Sequence, residues 1–307
     1  MLLLIFALTL EKSYTMNESL RQVVLSVLEE RLKTSAEIIA TRPLGGGDIN
    51  HALMLDTSSG KFFMKYNSAS RYPDMFRSEA EGLELMKSTS TISVPEVIGF
   101  GDDGKDAFLL LQYLEPGHRS DKMMEEAGRL LALMHRNSSP DFGLDADNYI
   151  GSLPQKNTRY STWTEFFATC RIEPMLRKAR DKGLVDQRIL KGFSNLLARL
   201  DDLVPREAPA LVHGDLWGGN YLACADGRVY LIDPAVYYGH REMDMSMTQL
   251  FGGFPEAFYK GYQSEYPLQP GWLQRTDIHN LYPLLVHVNL FGGGYIASVA
   301  SIVSRFI

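Results

Sequence analysis

The sequence predicts an α+β chain of two unequal lobes. A small lobe over 16–114 carries an antiparallel sheet with helices, and a larger, mostly helical lobe follows over 115–307. Three observations lead there. Short strand-like runs joined by glycine or aspartate turns crowd the stretch before residue 114, Glu115-Pro116-Gly117 breaks that pattern, and amphipathic helical stripes dominate beyond it. Ahead of both lobes, 1–15 reads as an extension outside the fold.

In chain order, Leu20, Val23, Val24, Val27 and Leu28 recur at helical spacing, so 17–33 is a helix with one apolar face. Leu44-Gly45-Gly46-Gly47-Asp48-Ile49-Asn50 then forms a glycine turn between strands. The runs 51–55 and 61–66 make a hairpin around the polar turn 56–60. Phe76, Ala80, Leu83 and Met86 give a helix over 73–87, and Glu79 falls on its apolar stripe. Strands are expected over 92–100 and 107–114, and helix and loop from there to about residue 205. Within that stretch lie the core stripes Met123, Ala127, Leu130, Leu131, Met134 and Ile189, Phe193, Leu196, Leu197, Leu200. Short apolar runs at 210–212 and 229–232 flank a polar loop, and the remainder is helical and aromatic.

Composition narrows the function. The 307 residues carry 31 Lys+Arg against 37 Asp+Glu, a formal net charge of −6 without a basic run, which argues against nucleic acid and anionic membranes as partners. Cys170 and Cys224 are far apart and have no Cys or His at ligand spacing, so neither a zinc site nor a disulfide framework is expected. The apolar start 1–10 is too short to span a bilayer and lacks the flanks of a signal peptide. The expectation is a natural start at Met16 and a cytoplasmic protein.

The strongest chemical signal is His213-Gly214-Asp215-Leu216-Trp217-Gly218-Gly219-Asn220, with Asp233 thirteen residues after Asn220 at the end of an apolar run. That is the layout of a phosphotransfer site. Asp215 would accept the proton of an attacking hydroxyl, while Asn220 and Asp233 would hold a metal ion against nucleotide phosphates, because a phosphoryl group in flight spreads negative charge that metal and positioned donors must neutralise. Earlier in the chain Lys65 lies in an apolar strand and Glu79 on an apolar helix stripe; each wants a partner, and pairing them leaves an ammonium for the phosphates. Gly45, Gly46 and Gly47 would let backbone amides approach those phosphates. Gln112, Tyr113 and Leu114, where the lobes meet, would offer backbone groups to the nucleotide base.

Asp141-Phe142-Gly143 spells a kinase metal motif but precedes the catalytic loop, and is expected to be a surface turn. Small molecules are favoured over proteins as acceptors. His213 is followed by glycine rather than arginine, and only nine residues separate Pro234 from Asp244, too few for a peptide-binding activation loop. Trp217 would stack on a sugar, with plain packing as the other reading. Glu242 and Asp244 either add metal and amine ligands or anchor the segment, and both readings stand at this point.

These residues carry a family resemblance. LVHGDLWGGN (211–220), LIDPAVYYGHREMDMSM (231–247), FYKGYQSEYPL (258–268) and LYPLLVHVNLFGGGY (281–295) resemble the fructosamine kinase (ketosamine-3-kinase) family, a branch of the aminoglycoside-phosphotransferase-like kinases. FGLDADNYIGSLPQKN (142–157) and MFRSEAEGLELM (75–86) are similar to it too. The resemblance implies a bilobal protein-kinase-like fold and ATP-dependent, Mg2+-assisted phosphorylation of the sugar 3-hydroxyl of a ketoamine, free or protein-bound. The product sheds its sugar, so the amine is deglycated. It also implies Asp215 as base, Asn220 and Asp233 as magnesium ligands, Lys65 and Glu79 as the nucleotide-anchoring pair, Trp217 in the sugar site, and His287 and Asn289 facing substrate. Several relatives carry a cysteine where this chain has Asp48, so redox control at that loop is not expected. A kinase for an aminoglycoside, choline or another amino alcohol is the alternative. An inactive nucleotide-binding scaffold is a second, which would be expected to have lost one of Lys65, Asp215, Asn220 or Asp233.

Overall fold

The computed structural model of the protein describes residues 16–45 and 49–307. Its first helix, α1 (Glu18–Leu32), starts where Asn17 accepts the Leu20 N–H at 2.8 Å, satisfying one of the open donors of the first turn. Five strands follow as one antiparallel sheet: β1 (Ile38–Leu44), β2 (His51–Thr57), β3 (Gly60–Ser68), β4 (Val97–Asp102) and β5 (Asp106–Gln112), in the order β1-β2-β3-β5-β4. The helix α2 (Met75–Ser88) lies between β3 and β4 in the chain.

Alternation along β3 decides what each face of the sheet meets. Phe62, Met64 and Tyr66 join Leu20, Val24 and Leu28 of α1 in a core on the outer face. Phe63 faces the other way, and so does Lys65, whose register partner on β5 is Leu109. On that inner side Leu109 and Leu111 share one core with Phe76, Ala80 and Leu83 of α2 and with Leu216, Leu231 and Val236 from the second half of the chain. Apolar packing therefore ties α2 and the sheet directly to the loop that carries Leu216.

The second half begins with α3 (Asp121–His135). It continues through the hairpin β6 (Asn148–Ile150) and β7 (Leu153–Gln155), then α4 (Trp163–Phe166), a π-helical turn over Phe167–Ile172, α5 (Glu173–Asp181), α6 (Gln187–Leu197) and α7 (Leu200–Leu203). Four short strands come next: β8 (Ala210–Val212), β9 (Tyr221–Ala223), β10 (Val229–Leu231) and β11 (Tyr237–Gly239). The chain ends with α8 (Glu242–Leu250), α9 (Glu256–Glu265), α10 (Trp272–Phe291), a 3-10 turn Gly293–Tyr295 and α11 (Ile296–Ser304). A large core joins α5, α6, α10 and α11. Among the described residues no helix is long and apolar enough to cross a membrane.

Several local expectations change. The strand expected over 92–100 pairs with β5 only from Val97; Pro95 has no N–H to give a ladder, and Ser93 instead bridges Tyr230. The strand expected to run to Leu114 ends at Gln112. The hairpin β6–β7 lies where only helix and loop were expected, because three-residue strands leave almost no alternation to read. The runs 210–212 and 229–232, whose partners the sequence left open, enter two different pairs: β8 with β11, and β10 with β9. Asp141-Phe142-Gly143 is no surface turn, since Phe142 is buried against Trp163 with ring centres 5.6 Å apart.

Candidate active site

The loop between β8 and β9 carries Asp215 and Asn220, and the β10–β11 connection carries Asp233. Asn220 Nδ2 donates to the Asp215 carbonyl at 2.8 Å and to Asp215 Oδ2 at 3.0 Å. That bond fixes the orientation of both side chains and leaves the Asn220 amide oxygen as its acceptor end. Burial, followed by the nearby charge of Asp233, pushes the Asp215 carboxyl up to about 7, against the Asn220 bond that lowers it. Asp233 stands in the left-handed region at φ 56°, and its side chain is 45% exposed.

Lys65 reaches this loop from β3. Its Nζ pairs with Glu79 Oε1 at 2.7 Å and also with Asp233. Burial works against the ammonium, but the two carboxylates outweigh it and hold the Lys65 pKa above its ordinary value. The expected pairing with Glu79 is present, and Lys65 also joins the sheet to Asp233.

The loop itself is pinned from below. His213 donates Nε2–H to the Ile232 carbonyl at 2.9 Å, and its Nδ1 accepts the Asp215 N–H at 3.2 Å, so the buried imidazole is neutral and spent on backbone. Desolvation lowers its pKa accordingly. Asp244 accepts the His213 N–H at 2.7 Å and the Gly214 N–H at 2.9 Å, with His135 Nε2 at 3.1 Å. Of its two open readings Asp244 takes the anchoring one. Glu242 is likewise fully engaged by Arg275 at 2.6 and 2.9 Å. With His240 and His279 it forms a buried cluster at metal-ligand spacing, but the Arg275 guanidinium occupies the carboxylate, and His240 spends both ring nitrogens on the Glu242 N–H and the Pro205 carbonyl. These donors do not fit a cation.

The glycines of this loop have steric causes. A Cβ at Gly214 would lie 2.1 Å from the Ala235 carbonyl oxygen at φ +82°, which excludes the arginine that follows the histidine in protein kinases. A Cβ at Gly219 would lie 2.3 Å from the Trp217 ring, so the indole lies over bare backbone. Trp217 is 40% exposed. Its ring meets Phe251, which meets His287 in turn.

Other predicted residues are placed differently. Asn289 is buried and donates to the Met175 and Leu285 carbonyls at 2.9 Å each, tying α10 to α5. Two positions apart on a helix is about 200°, so Asn289 points away from the face of His287. Gln112 donates its N–H to the Glu96 carbonyl at 2.8 Å, so that donor of the segment 112–114 is spent on the protein's own backbone. A Cβ at Gly45 would meet nothing within 4 Å among the described residues; Gly46, Gly47 and Asp48 lie outside them, as does the extension 1–15. Sequence reasoning missed Phe251, whose only signal was an aromatic before Gly252-Gly253.

A strand lysine paired to a helix glutamate, facing an Asp…Asn loop and a following aspartate, defines a kinase-type phosphotransferase. The chain resembles an aminoglycoside phosphotransferase in fold, with a TM-score of 0.61 at 15% identity over 93% of this chain and 98% of that one. The family model for fructosamine kinase matches residues 20–307, and the chain belongs to that family. A Synechocystis protein assigned as a ketoamine kinase is 42% identical over 257 residues, 83% of this chain and 85% of that protein. The chloroplastic protein-ribulosamine 3-kinase of Arabidopsis thaliana is 38% identical over 278 residues, 89% of this chain and 84% of the relative. A solved Haemophilus somnus structure assigned as a fructosamine-3-kinase superposes with a TM-score of 0.85 at 29% identity, covering 92% of this chain and 96% of that one.

Proposed function

We propose that the protein transfers the γ-phosphoryl group of ATP to the sugar 3-hydroxyl of a ketosamine, free or protein-bound, and so starts the removal of the sugar from a glycated amine. Family membership supports the reaction class, and one observation carries the site assignment: Lys65 bridges Glu79 and Asp233 while Asn220 holds Asp215. Residues 16–114 would hold the nucleotide, with Gly45, Gly46 and Gly47 near its phosphates and Tyr113 and Leu114 at its base. Residues 115–307 would hold the ketosamine, and the cytoplasm expected from the sequence is the setting.

Asp215, with its carboxyl near neutrality, takes the proton of the 3-hydroxyl as that oxygen attacks phosphorus and ADP leaves. Lys65 stays charged through the cycle and neutralises phosphate oxygens. Trp217 offers a half-exposed ring to the carbon-bound hydrogens of the sugar. The Asn220 oxygen and the exposed Asp233 carboxylate are hard oxygen donors of the kind Mg2+ takes, so these two residues fit the ion and would hold it. Bound there, Mg2+ would supply charge neutralisation for the phosphates.

The test follows ADP release with ribulosamine, fructosamine, aminoglycoside and choline acceptors, using Asp215→Asn as control. Turnover of a ketosamine alone is expected. Turnover only of an aminoglycoside or choline would move the chain to the amino-alcohol reading, and ATP binding without turnover of any acceptor would support the scaffold.

A further inference from the structure

Five rings form one continuous surface that begins at the catalytic loop. Trp217 meets Phe251 edge to face with centres 6.2 Å apart, and Phe251 meets His287 at 4.9 Å. His287 then meets Phe291 at 5.5 Å and Tyr295 at 4.9 Å. Unlike the core aromatics, Trp217 is 40%, Phe251 41% and Phe291 53% exposed. Exposed apolar area gathered into one patch marks a place that something else covers.

The backbone beside the patch points the same way. Gly292 needs its glycine for a φ of +89°, but Gly293 and Gly294 have no such requirement, and a Cβ on either would meet nothing within 4 Å among the described residues. A helical turn loses stability with each glycine it carries. Neither dihedral angle nor packing explains these two, whereas a ligand passing close to the chain would.

On the ketosamine-kinase reading above, we propose that this surface receives the amine arm of the substrate. The sugar lies at Trp217, and the chain attached to its nitrogen runs across Phe251 toward Phe291 and Tyr295, past the bare backbone of Gly293 and Gly294. The chemistry matches in order along the path. The nitrogen next to the sugar is a protonated secondary amine, which ring faces attract, and the methylenes beyond it bury apolar area against the rings. The surface therefore selects ketosamines of amines with an extended alkyl arm over those of compact polar amines.

The experiment measures kcat/KM for ribulosamines of methylamine, propylamine and hexylamine. From the apolar area one ring face covers, the hexyl compound is expected to exceed the methyl one by about tenfold. Phe251→Ala and Gly294→Val should each bring that ratio down to about 2, with thermal melting of each variant confirming that it is folded. Equal kcat/KM across the series, or a ratio that Phe251→Ala leaves untouched, would overturn the inference while the kinase reading stands. Failure to turn over any ribulosamine would take down that reading, and this inference with it.

Discussion

Two acidic regions sit within thirty residues of each other in sequence and do opposite things. Asp215 is oriented by Asn220, and Asp233 is 45% exposed and tied to Lys65. Asp244 and Glu242, by contrast, are buried with their oxygens committed to backbone N–H groups, His135 and Arg275. Both regions are built from carboxylates. The difference is where the lone pairs go: a carboxylate whose acceptors are filled by its own chain builds the site, and one with acceptors left over can do chemistry.

Breaking the first region should have the largest effect. Asp215→Asn keeps the shape and removes the base, and kcat should fall about a thousandfold with nucleotide affinity retained, as read by ADP release and by calorimetric ATP titration. Its folding stability should hold or rise, because a buried carboxyl disfavoured by its surroundings is gone.

The second region should respond in the opposite sense. Asp244→Ala leaves the His213 and Gly214 N–H groups without their acceptor, and each buried orphan costs roughly 1–3 kcal/mol. Chemical denaturation should show a loss of about 3 kcal/mol or more, with activity falling because the loop that carries Asp215 is no longer fixed.

Acid should expose the same contrast. Burial, then the charge of His279, pushes His240 down to about 4 from its usual value. The unfolded chain therefore binds a proton between about pH 6.5 and 4 that the folded chain refuses, so stability is full above that window and declines through it, by roughly 3 kcal/mol in all. Glu242, held down to about 2 against its burial by Arg275 and His279, adds a loss below the ordinary glutamate range. Denaturation midpoints across pH should show this slope, and His240→Gln should flatten its upper part.

The smallest effect separates two neighbours on α10. Asn289→Ala should cost about 1 kcal/mol by loss of its bonds to α5 without moving KM for the ketosamine. His287→Ala should raise that KM.

Much of the site was legible because its signals are local or chemically costly. The Asp215, Asn220 and Asp233 spacing is a short-range pattern, and a lysine and a glutamate on apolar faces could each be inferred to need a partner, which Lys65 and Glu79 supply. What escaped depends on long-range placement. No period in the sequence says that β8 pairs with β11 rather than β10, or that Phe251 lands beside Trp217. Asn289 was misplaced because a motif does not say which helix face a residue occupies. Nor does the sequence say why positions 214 and 219 are glycine: a Cβ there would strike Ala235 and Trp217.

The most direct measurement of the central claim is the position of the phosphate. Incubation of the protein with ATP, Mg2+ and a 13C-labelled ribulosamine, followed by 31P and 13C NMR, should show carbon–phosphorus coupling consistent with a phosphate on the oxygen of sugar carbon 3, followed by appearance of the free amine. A phosphate on any other hydroxyl, or a stable product that retains its sugar, would contradict the account.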